Sequence, residues 1–113
     1  ENEAPNIASL HGFLDTVFEF GRAGCLAVNT TTELGTSDPV VTAVARVYRD
    51  RIREALRTVL QAALPANPDD MNARTEMLLG FLLGYAVAAR TGADDGEMAG
   101  LTSAAHATVD SWS

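Results

Sequence analysis

From position 41 to position 63, the apolar side chains Val41, Val44, Tyr48, Ile52, Leu56, Val59 and Ala63 recur every three or four residues, and neither glycine nor proline interrupts them. That period is a helix's and not a strand's, so the stretch can bury one face only as a helix, of about six turns before Pro65. A long amphipathic helix must lay its stripe on other elements, and the rest of the chain repeats the pattern. Over 5–20, Ile7, Leu10, Leu14, Val17 and Phe18 form a first helical face, which Gly21 and Gly24 then interrupt. Residues 25–34 read as a shorter second helix containing the weak helix formers Thr30, Thr31 and Thr32. Gly35 suits its end, and Ser37-Asp38-Pro39 supplies a cap and a first-turn proline for the long third helix. Asn67-Pro68-Asp69-Asp70 opens a fourth helix that Gly92 stops. Asp94, Asp95 and Glu97 open a fifth, striped by Met98, Leu101, Ala105, Val109 and Trp112. No run alternates apolar and polar residues between turn signals. The expectation is an all-α domain of about five helices spanning 1–113.

Composition narrows the function classes. The formal charge is -7 and all eight basic residues are arginine, so the chain by itself is a poor match for a polyanion. A single cysteine, Cys25, excludes an internal disulfide and a thiolate-rich metal site; it is read as a buried thiol, with a redox sensor as the other reading. The longest apolar run, 77–89, is too short to span a bilayer and no secretion signal is evident, so a cytoplasmic protein with no membrane partner is expected. The sequon at Asn29 therefore has no route to modification.

Run 77–89 is apolar nearly all round, so something must cover its outer side. Gly80, Gly84 and Ala88 align four residues apart and would admit a close helix, whereas two glycines inside a helix otherwise cost about 1 kcal/mol each. The expectation is a homodimer in which the last two helices of each copy build a four-helix bundle through Leu78, Phe81, Gly84, Tyr85, Ala88, Leu101, Ala105, Val109 and Trp112. A fully buried central helix in a monomer is the competing reading.

Phe13, Val17, Phe18 and Leu26, with the polar groups Asn29, Thr30, Glu33 and Tyr48, suit a mainly apolar pocket with a few orienting groups. A plain core is lined by the same side-chain types, so the residues alone leave both readings open. Arg46, Arg49, Arg53 and Arg57 form a basic stripe, but Asp50 and Glu54 among them point to a solvated face of ion pairs. His11 with Asp15, and His106 with Asp110, are each four residues apart and read as surface pairs, because neither has a third catalytic partner. Nothing in the spacing of His11, Cys25 and Glu33 predicts a metal site. No enzyme, cofactor or metal is expected.

The stretch Gly24-Cys25-Leu26-Ala27-Val28-Asn29-Thr30-Thr31-Thr32-Glu33-Leu34, followed by Asp38-Pro39-Val40-Val41, resembles the regulatory domain of TetR-family repressors. Met77-Leu78-Leu79-Gly80-Phe81-Leu82-Leu83-Gly84-Tyr85, with one amphipathic helix after it, is similar to that family's dimerisation region. The resemblance implies an effector-binding and dimerisation domain that takes a small, largely apolar molecule among its inner helices and pairs through its last two. Ligand binding would then release operator DNA held by a helix-turn-helix domain preceding this segment, which reads as one entered in mid-protein. A free-standing helical interaction module without a pocket is the alternative, and a small hydrolase ranks behind both for want of a nucleophile beside a base.

Overall fold

A computed structural model describes residues 6–22 and 39–113, which form four α-helices and no strand among the described residues. They are α1 (Ile7–Arg22), α2 (Pro39–Ala63), α3 (Pro68–Arg90) and α4 (Asp95–Asp110). The short second helix expected over 25–34 lies outside the described residues.

Local chemistry sets the ends. Asn6 caps α1: its Oδ1 accepts the backbone N–H of Ser9 at 2.9 Å. The helix then continues through Gly21 to Arg22, past the expected stop, because one helical glycine carries a tolerable cost. Asn67 caps α3 by accepting from Asp70 N–H at 2.8 Å, with Pro68 in the first turn and Asp69 and Asp70 facing the positive end of the helix dipole. Its far end closes as the sequence predicts: Gly92 adopts φ +90°, Gly92 N–H reaches Ala89 O at 3.4 Å, and Ala93 N–H reaches Ala88 O at 3.0 Å. This left-handed turn satisfies carbonyls that the helix itself cannot. Asp94 then caps α4 by accepting from Glu97 N–H at 2.8 Å.

The core runs along α3, which touches all three other helices, as does α1. Leu10, Leu14 and Phe18 enter from α1, Leu56 and Leu60 from α2, Met71, Leu78, Leu79, Leu82 and Tyr85 from α3, and Met98, Ala105 and Val109 from α4. Phe18 and Tyr85 pack ring on ring, 4.9 Å between centroids. Thr75 is the buried polar side chain, and its hydroxyl donates to Met71 O at 2.7 Å, so burial leaves nothing unsatisfied there. α2 and α4 make no contact with each other, and each packs on both α1 and α3. The face expected on the long helix is only partly buried. Leu56 is covered fully and Ile52, Val59 and Ala63 partly, but Val44 is 56% exposed, with Val40 and Val47 beside it. The first turns of α2 thus expose Val40, Val44 and Val47 while Ala45 among them is buried.

Candidate functional site

The elements that meet at the base of α2 leave an open groove against α1, of about 490 Å³, lined by Phe13, Thr16, Val17, Tyr48, Arg51, Ile52 and Ala55. Amphipathic periodicity makes it: Phe13 and Val17 stand one turn apart on α1, and Tyr48 and Ile52 one turn apart on α2. A second hollow along α2 shares Tyr48 and Arg51 with the first, so the apolar surface continues toward Val44 and Val47. Three of the eight expected ligand contacts, Phe13, Val17 and Tyr48, therefore converge. Phe18 does not join them, being 2% exposed and committed to the core beside Tyr85. Leu26, Asn29, Thr30 and Glu33 lie outside the described residues. Sequence reasoning passed over Arg51; its place on the α1-facing side of α2, one helical turn from Tyr48 and Ala55, was the available signal.

Of the basic stripe, Arg53 bridges Asp50 on its own helix and Glu76 on α3, each at 2.5 Å. The hydrogen bond to Glu76 raises the guanidinium pKa above its ordinary value; desolvation opposes it, and the charges of Glu76 and Asp50 add to the rise. At Arg53 the stripe carries ion pairs of the kind its interleaved carboxylates suggest.

The residues expected at a dimer contact divide in two. Leu78, Ala105 and Val109 are fully buried and Tyr85 is 4% exposed, so their side chains are spent on this chain's own core. Phe81, Ala88, Leu101 and Trp112 are half-buried, and Gly84 is exposed. Trp112 is partly occupied by Arg74, whose guanidinium carbon sits 5.2 Å from its ring centroid. On the outer side of α3, Met77 and Val87 are 49% and 41% exposed, and a Cβ added at Gly80 or Gly84 would meet nothing within 4 Å. Between them these positions make a flat strip of low relief.

A polar cluster joins α1 to α4. The two imidazoles of His11 and His106 face each other through their Nδ1 atoms at 2.5 Å, with ring centroids 4.7 Å apart. His11 Nε2 lies 2.7 Å from Asp110 Oδ1, and His106 Nε2 lies 2.6 Å from Asp15 Oδ1. The pairing is crossed: each histidine takes the carboxylate of the other helix, not the one four residues along its own. Among the described residues no group of three or more histidine, cysteine or acidic side chains is arranged to hold a metal ion, and none of their helices is long and apolar enough to cross a membrane. The chain matches no protein-family model and has no significant match among curated proteins or solved structures.

Proposed function

We propose that this chain is the effector-binding and dimerisation domain of a TetR-type transcriptional repressor, which releases operator DNA in the cytoplasm when a small, largely apolar ligand occupies the groove between α1 and α2. The observation that carries the reading is the convergence there of Phe13, Val17 and Tyr48, with Ile52 and Ala55 extending the apolar lining. A groove of this size and composition suits a compact apolar body, and Tyr48 and Arg51 provide the polar groups that would orient it. Among the described residues Arg51 is the only cation on its lining, which favours a ligand with an acidic or strongly accepting end.

Pairing is supported by the apolar strip of Met77, Gly80, Gly84 and Val87 on α3, flanked by Phe81 and Ala88. Because α1 both borders the groove and packs on α3 and α4, a ligand that moves α1 has a direct mechanical route to the proposed pairing surface. Operator contact would fall to a helix-turn-helix domain outside these residues, consistent with the charge of -7.

Calorimetry across a panel of small apolar compounds, with and without a carboxylate, tests the assignment. At least one compound should bind, and Tyr48→Ala should weaken it about tenfold, equivalent to about 1.4 kcal/mol. Binding that Tyr48→Ala leaves unchanged would move the ligand elsewhere. A panel with no binder at all would favour a helical interaction module without a pocket.

A further inference from the structure

The four groups between α1 and α4 fix their own proton count. An ionised carboxylate only accepts hydrogen bonds, so the His11 Nε2 facing Asp110 and the His106 Nε2 facing Asp15 must each carry a hydrogen. That leaves the two Nδ1 atoms at 2.5 Å. Two bare lone pairs repel at this distance and two N–H groups collide; only one donor facing one acceptor makes a bond. All three contacts together therefore need three ring hydrogens, whereas two neutral imidazoles bring two.

We propose that His11 and His106 form a single-proton site, which binds one proton shared between their Nδ1 atoms and thereby fastens α1 to α4. The pair then holds one positive charge between two anions, Asp15 on α1 and Asp110 on α4. Phe18 of α1 lies beside the pair, its ring centroid 6.5 Å from that of His106, and on the α3 side the buried phenol of Tyr85 packs against Phe18. α2 does not touch α4, so it does not border the site from that side. Both imidazoles keep about a quarter of their surface in water, 25% and 24%, so protons exchange without unfolding.

The sign of the pH response follows from the count. As pH falls from the alkaline side, the first proton adds the third hydrogen bond, and the folded state gains stability over an unfolded chain whose histidines titrate independently. A second proton sets N–H against N–H, so further acidification removes that gain. Stability should pass through a maximum where the pair holds one extra proton.

The experiment is a series of urea midpoints between about pH 5 and about pH 8 for the chain, His11→Gln, His106→Gln and the double variant. The parent should show the maximum, and either single variant should abolish it as fully as the double does. Nitrogen-15 NMR of the parent gives a readout independent of any variant's folding: the two rings should together carry three N–H hydrogens at the maximum. A monotonic parent curve, a maximum that survives both single variants, or rings that titrate independently would overturn the proposal. If EDTA abolished the maximum and zinc restored it, the occupant would be a metal ion and the shared proton would be refuted.

Discussion

The glycines of α3 offer a perturbation whose effect inside the chain differs in sign from its effect between chains. A Cβ placed at Gly80 or Gly84 meets no atom within 4 Å, so alanine at either position adds nothing to the chain's own packing and removes only the helical cost of glycine. That cost is about 1 kcal/mol per site, and Gly80→Ala with Gly84→Ala should stabilise the isolated chain by about 2 kcal/mol. Gly84→Trp projects from the same exposed position with an open Cβ site, so it should leave the monomer's stability equal to the parent's or slightly higher. Helices in contact ordinarily lie about 8 to 10 Å apart, and small residues allow the near end of that range; an indole at the contact forbids it. Sedimentation equilibrium combined with urea midpoints at several protein concentrations separates the two effects. The parent should dimerise, with a midpoint that rises with concentration, whereas Gly84→Trp should sediment as a monomer with a concentration-independent midpoint. A Gly84→Trp protein that dimerises as tightly as the parent would refute pairing through this strip. One that loses stability when fully dissociated would refute the open surface around residue 84.

Two other substitutions test the framework that carries these surfaces. Leu78→Ala removes a fully buried side chain from the middle of α3 and should cost about 3 kcal/mol in urea denaturation of the dissociated chain; no loss there would mean that Leu78 serves a contact between chains instead. Gly92→Ala forces a Cβ onto a residue at φ +90° and should lower stability by about 1 kcal/mol in the same assay, whereas an unchanged midpoint would contradict the left-handed ending of α3.

How much of this molecule is legible in the sequence depends on the distance over which each signal acts. Helix ends are local, and the starts at Pro68 and Asp95 and the stop at Gly92 follow from caps, a proline and a glycine acting within one turn, whereas the cap expected at Ser37 and Asp38 lies outside the described residues. Burial is less local. Leu78, Tyr85, Ala105 and Val109 belong to stripes that any contacting surface could have claimed, and only the placement of α1 against α3 and α4 decides that this chain's own core takes them. The same holds for Phe18, which the pattern groups with Phe13 and Val17 but which points between helices toward Tyr85. The groove is half legible for a related reason: side chains a turn apart on one helix are visible in the sequence, whereas the approach of Tyr48 on α2 to Phe13 on α1 is a tertiary event.

The histidines show where local reasoning ends. A spacing of four residues puts His11 and Asp15 on one face of α1, and His106 and Asp110 on one face of α4, which is correct as far as one helix goes. Once α1 and α4 pack, each carboxylate lies nearer the opposite ring, and crossing the pairs turns two isolated helix contacts into one chain of three hydrogen bonds. Exposed pairs along a helix contribute only about 0.3 to 0.5 kcal/mol and leave the helices independent of each other. The crossed arrangement instead adds to the apolar α1–α4 contact a bond that forms only with the proton proposed for the pair. Since α1 also lines the groove and α4 follows the strip-bearing α3, that proton sits on the structural path by which a ligand in the groove would reach the proposed pairing surface. A ligand that displaces α1 must then loosen the His11–His106 contact, so ligand affinity and proton uptake should be linked, each altering the other by the same factor.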